Sequence, residues 1–126
     1  MPVHTTPNPE VEALERLGDE IALLSAHITV ATARLLDLLR DFDARTGWGH
    51  AGATSCAEWL SWRVGLDLGA AREHVRVARA LPALPRVADA FARGALSYSK
   101  VRALTRVATP ATEERLLSAA RSMPAA

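Results

Sequence analysis

Apolar or small side chains recur at positions 14, 17, 21, 24, 28, 31, 35, 38 and 42, from Leu14 to Phe42. The steps alternate between three and four residues, which keeps one stripe on one side of an α-helix and is the seam of a heptad-patterned helix. Asn8 offers a side-chain acceptor to the free N–H groups of a first turn. Pro9 has its φ already set for a first helical position, and Glu10 and Glu12 lie well against the helix dipole. The pattern predicts one helix over about 9–43, roughly 50 Å long at 1.5 Å per residue. Gly18 weakens its first third by about 1 kcal/mol relative to Ala. A small domain does not cover such a helix along its whole length. The seam therefore packs either on the rest of the chain or on a second copy, as a homodimer through residues 14–42.

Beyond it the apolar positions fall into shorter helical runs separated by turn signals. TGWGHAGATS, residues 46–55, places three glycines among seven residues and reads as the main linker. Ser55-Cys56-Ala57-Glu58 is a capping box opening a helix to about Val64, with Gly65 at its C-terminal end. Trp59, Leu60, Trp62 and Val64 give that helix apolar neighbours on both faces, and both tryptophans are expected in the core. Asp67 caps a helix over about 68–81 that Pro82 stops. Pro85 starts a short helix through Val87 and Phe91 that ends at Gly94. Ser97 caps another over about 98–108. Thr109-Pro110 starts the last, with Glu113 and Glu114 in its first turn. No strand pattern appears. The expected class is all-α: a long N-terminal amphipathic helix, then a compact helix-turn-helix-containing bundle of about five short helices. The organisation reads as a tail at 1–8, the long helix at 9–45, the linker at 46–55 and a helical domain at 56–122.

Composition changes this picture little, whereas charge changes it a good deal. Of 126 residues 49% are hydrophobic, but only six are aromatic and 25 are alanine, so helices must approach closely. The formal net charge of +1 conceals a segregation: residues 1–45 carry −4, residues 46–126 carry +5, and 63–106 alone carry +6. An acidic helical arm joined to a basic module suits a polyanionic partner. Cys56 is the single cysteine, so no disulfide forms within the chain, which suits a reducing compartment. The first ten residues show neither the basic nor the apolar region of a signal peptide, and a cytoplasmic location is expected. The apolar stretch 21–39 is interrupted by His27, Arg34 and Asp37 and is not expected to span a membrane.

The basic charge concentrates on the helix over 68–81. Ala71, Val75 and Ala78 form its inward stripe, while Arg72, Arg76 and Arg79 lie one residue onward, rotated about 100° toward solvent. The helix before it, a short turn and this helix make a helix-turn-helix pattern whose second helix would enter the major groove of duplex DNA. Ser61 is small enough for a close crossing. The turn Leu66-Asp67-Leu68-Gly69 is about one residue longer than the tightest form. On this reading Arg72, Arg76 and Arg79 contact bases or phosphates, and Lys100, Arg102 and Arg106 contact the backbone. The competing reading is a helical dimerisation or protein-interaction module with no nucleic-acid role, whose arginines pair with carboxylates such as Glu73 and Asp89 or stay solvated.

Two resemblances bear on the choice. Leu81-Pro82-Ala83-Leu84-Pro85, then Gly94-Ala95-Leu96-Ser97 and Val101-Arg102-Ala103-Leu104, is similar to the segment following the helix-turn-helix of ParB-type partition proteins. It covers about 60–108, without the nucleotide-binding motif of those proteins. SCAEWLSWRVGLDLGAAREHVRVARAL and LPRVADAFARGALSYSKVRALTRVATP, with the long leading helix, resemble the bacterial family called domain of unknown function 222 over nearly the whole chain. Members of that family usually continue into an HNH endonuclease module, so the resemblance implies a DNA-related setting and brings no catalytic residue to these positions.

Enzymatic chemistry is not expected within these residues, and neither is a cofactor. His4, His27, His50 and His74 stand in four separate segments without HNH or HExxH pairing. Asp37, Asp41 and Asp43 alternate with Arg34, Arg40 and Arg45 and read as a solvated helix end rather than a cation site. Cys56 reads as a small buried hydrophobe rather than a reactive thiol. His74 reads as packed or simply exposed. Tyr98, at a helix N-terminus, joins Lys100 as a weaker phosphate contact.

Overall fold

The computed structural model describes residues 8–123, so all of the expected N-terminal tail but Asn8 falls outside the described residues. Seven α-helices and one 3₁₀ turn follow in order, with no strand among the described residues: α1 Pro9–Ala44, α2 Gly47–His50, α3 Cys56–Val64, α4 Leu68–Ala80, the 3₁₀ turn Leu81–Ala83, α5 Pro85–Ala92, α6 Tyr98–Val107 and α7 Glu113–Ser122. The all-α class and the long leading helix are as the periodicity implies.

The caps explain most of the boundaries. Asn8 Oδ1 accepts from Glu10 N at 3.0 Å. Ser55 Oγ accepts from Glu58 N at 3.0 Å, but the return arm of the capping box lands one residue early: the Glu58 carboxylate accepts from Thr54 N at 3.2 Å and from Thr54 Oγ1 at 2.8 Å. Asp67 Oδ2 accepts from Gly69 N at 3.1 Å. Between α3 and α4 the turn is only Gly65-Leu66-Asp67, shorter than the sequence suggests. Gly65 takes φ +75°, a left-handed conformation that ends α3 at once. Ser61 Oγ donates to Leu66 O at 2.7 Å, so this serine pins the turn.

Two boundaries differ from the sequence reading. The 46–55 segment contains the single helical turn α2, whose Trp48 carbonyl accepts from Ala51 N and Ala53 N. The last helix begins at Glu113 rather than Pro110, because Thr112 Oγ1 accepts from Thr109 N at 2.9 Å and closes residues 109–112 into a turn.

α4 is the central element. Its Ala71, Val75, Val77 and Ala78 are buried, and it packs on α1, α3 and α6, while α7 closes the far side on α5 and α6. What α1 contributes to the core is Ala33, Leu36 and Leu39. These are centred about 120° around the helix from the heptad seam at 28, 31, 35 and 38, since successive residues turn about 100°. The seam itself stays outside: Ile21 is 68% exposed and Ile28 66%. Trp62 and Val64, expected inside, are also exposed, whereas Trp59 packs its ring 4.2 Å from that of Phe42. By length and composition alone α1 is apolar enough to cross a membrane, despite the charges that interrupt it.

Candidate nucleic-acid interface

Arg72, Arg76 and Arg79 share one edge of α4. With Ser55, Cys56, Ala57 and Val75 they line a shallow groove of about 390 Å³ between α4 and the start of α3. The three guanidinium groups are not equivalent. Arg72 is exposed and makes no hydrogen bond or ion pair among the described residues. Arg79 forks onto Asp43 at the end of α1, Nε to Oδ2 at 2.7 Å and Nη2 to Oδ1 at 3.0 Å. Trp48 Nε1 donates to the same carboxylate at 3.2 Å. The Arg79 bonds hold Asp43 below the usual carboxylate range against the opposing pull of burial. Asp43 is therefore no solvated helix end. It is the anchor that ties α4 to α1 and α2, and only the fold brings its partners together.

Arg76 is half-buried and turns the other way. Its Nε and Nη2 donate to Glu73 at 3.0 and 3.1 Å, and it reaches α6 through Thr105 Oγ1 at 3.3 Å and Arg102 O at 3.2 Å. Glu73 also receives Arg102 Nε at 2.7 Å and Arg106 Nη2 at 2.8 Å. One carboxylate facing three guanidiniums is pushed down to about 2, first by the hydrogen bonds from Arg76 and Arg102. It cannot neutralise them, so the face shared by α4 and α6 keeps an excess of positive charge. Arg102 and Arg106 remain about half exposed there.

Lys100 is placed differently. Its Nζ donates to Ala120 O at 2.7 Å and to Met123 O, carbonyls at the end of α7, where a cation also suits the helix dipole. His74 donates through Nδ1 to Ala70 O at 2.9 Å, and its ring packs tilted against that of Tyr98, with centroids 4.8 Å apart. Burial pushes the Tyr98 hydroxyl up. Cys56 is buried, and its thiol is pushed up to about 11 by desolvation. Among the described residues no group of three or more His, Cys, Asp or Glu side chains is placed to hold a metal ion.

These features define a small all-helical protein built around a central helix, with an arginine-rich face formed by that helix and α6. The chain belongs to the family described as Domain of unknown function (DUF222), whose model matches residues 12–126. No curated protein and no solved structure matches it.

Proposed function

We propose that this chain is a non-catalytic DNA-binding module, the N-terminal helical part of an HNH-endonuclease-type protein. The observation that carries the reading is the convergence of Arg76, Arg102 and Arg106 on Glu73 as their single carboxylate, with the exposed Arg72 one turn from Arg76 on α4. The three-residue turn between α3 and α4 further suits a helix-turn-helix, whose second helix would present this edge to the major groove. In this reading Arg72 makes the direct contact. Glu73 and Asp43 hold Arg76 and Arg79 in place, so their remaining N–H groups meet a phosphate with little further loss of side-chain entropy. Arg102 and Arg106 flank the contact on the backbone side, and Lys100 is engaged with α7.

Binding of a labelled duplex, followed by fluorescence anisotropy across a salt series, tests the proposal. Affinity is expected to fall steeply with salt, the log–log slope losing about one unit for each phosphate contact removed. Arg72→Ala alone should weaken binding without disturbing the fold, because it removes no internal bond. If Arg72→Ala/Arg76→Ala/Arg79→Ala stays folded by circular dichroism and binds as tightly as wild type at about 100 mM salt, the assignment is wrong. The internal pairing of Arg76, Arg79, Arg102 and Arg106 favours a second reading, an interaction module with no nucleic-acid role. A wild-type chain that binds no duplex at low salt would decide for it.

A further inference from the structure

The seam of α1 has the length and sequence of an interface and, from Leu14 to Leu38, none of the described residues covers it. Leu14, Leu17, Ile21, Leu24 and Ile28 are each more than half exposed, and Leu38 continues the stripe at 53%. Patches of this kind are costly to leave in water. We infer that α1 pairs antiparallel with α1 of a second copy, setting Leu14 opposite Leu38, Leu17 opposite Leu35, Ile21 opposite Ala31 and Leu24 opposite Ile28. The inference does not rest on DNA binding.

Three features select the second copy and the orientation. The register is complete: every seam position from Leu14 to Leu38 meets another seam position, and the one small residue, Ala31, faces the branched Ile21. Charge excludes the parallel alternative. Residues 9–20 carry five carboxylates against Arg16, and parallel helices would lay two such ends side by side. The antiparallel pair lays each against residues 32–43 of the other copy, where two arginines stand among three aspartates, so each acidic end meets a segment of net charge −1 instead of −4. It also brings Glu20 beside Arg34 of the second copy on both sides of the two-fold axis, whereas a parallel pair would set Glu20 beside Ser25. Finally, the seam runs into a groove. Leu35, Leu38 and Phe42 open onto a cavity of about 710 Å³ walled by Trp59, Leu60 and Val64. The antiparallel register seats Val11, Leu14 and Leu17 of the second copy there, which would also cover the exposed Val64.

The test is sedimentation equilibrium of the full 126-residue chain, with a spin-label distance to read orientation. A dimer at micromolar concentration is expected. Leu17→Glu/Leu24→Glu should be monomeric with its helical domain still melting cooperatively, since neither side chain touches the core. Glu20→Arg should weaken the dimer about fivefold or more, and Glu20→Arg/Arg34→Glu should restore it. A nitroxide at Arg16→Cys should report a separation of about 30 Å in the antiparallel pair, from 20 residues of axial offset. Buried Cys56 stays unlabelled. A wild-type chain that remains monomeric at high concentration overturns the inference, as does one that binds lipid vesicles as a monomer. A label separation below about 20 Å, as for parallel helices 8–10 Å apart, overturns the orientation and with it the register.

Discussion

Glu113 stands at the first position of α7, where a carboxylate suits the dipole of its own helix, yet it is buried and serves another helix. Its Oε1 accepts from Val87 N at 2.8 Å, in the first turn of α5. The N-cap of α5 is Leu84, which has no side-chain acceptor, so Glu113 supplies the missing one from 26 residues away. Glu113→Ala would leave that buried N–H unpaired and is expected to cost about 1–3 kcal/mol, read as a lowered denaturant midpoint at unchanged slope. Glu114→Ala, at the exposed neighbour, should cost well under 1 kcal/mol, because it removes only the surface pair with Arg86. Glu73 makes a second prediction at this scale. Its folded value of about 2 lies below that of a free glutamate, so its contribution is complete above about pH 4.3 and disappears as pH falls through about 2. The carboxyl carbon resonance of Glu73 should titrate with a midpoint near 2, and a midpoint of 4 or higher would show that the arginine cluster does not form in solution. The sequence offered Glu73 as a possible arginine partner, but not that one carboxylate gathers three.

At the scale of elements, helix starts and stops were largely readable because they depend on neighbours a few residues apart. Asn8, Ser55, Asp67 and Ser97 all accept the hydrogen bonds their positions imply. The failures are where a local signal was overruled. Pro110 looked like a first-turn proline until the Thr109–Thr112 bonds took those residues into a turn, and the glycines of 46–55 concealed α2. Gly94 is a case in which the local signal was right and the reason incomplete. Its φ of +76° ends α5, as a glycine after a helix commonly does, but a Cβ there would also sit 3.0 Å from Ala26 O and from Val30 Cγ2 of α1. Gly94→Ala should therefore destabilise the chain by about 1–3 kcal/mol, since strain in the backbone and crowding against α1 add. A loss of only a few tenths in urea melts would mean that α1 and α5 do not pack this closely.

Across the whole molecule, periodicity predicted a helix over about 9–43 with an apolar seam, against Pro9–Ala44 in the structure, and the caps and glycines divided the remainder into short helices. Those are consequences of bonds between residues three or four apart, which any chain with this sequence makes. Charge segregation likewise belongs to the sequence, since counting needs no geometry. Which stripe of α1 would be buried was not available in that way. The domain packs α4 and α5 on the side bearing Ala33 and Leu36 and leaves the larger seam outside, which hydrophobicity alone does not predict. The standing of each arginine was equally out of reach. Arg72, Arg76 and Arg79 share one spacing, but only tertiary packing brought Asp43 from α1 to Arg79 and set Arg102 and Arg106 around Glu73. Arg72 was left without a partner among the described residues. Local hydrogen bonding wrote the helices into the sequence, whereas contacts between residues distant along the chain decided which side chains they leave for a partner.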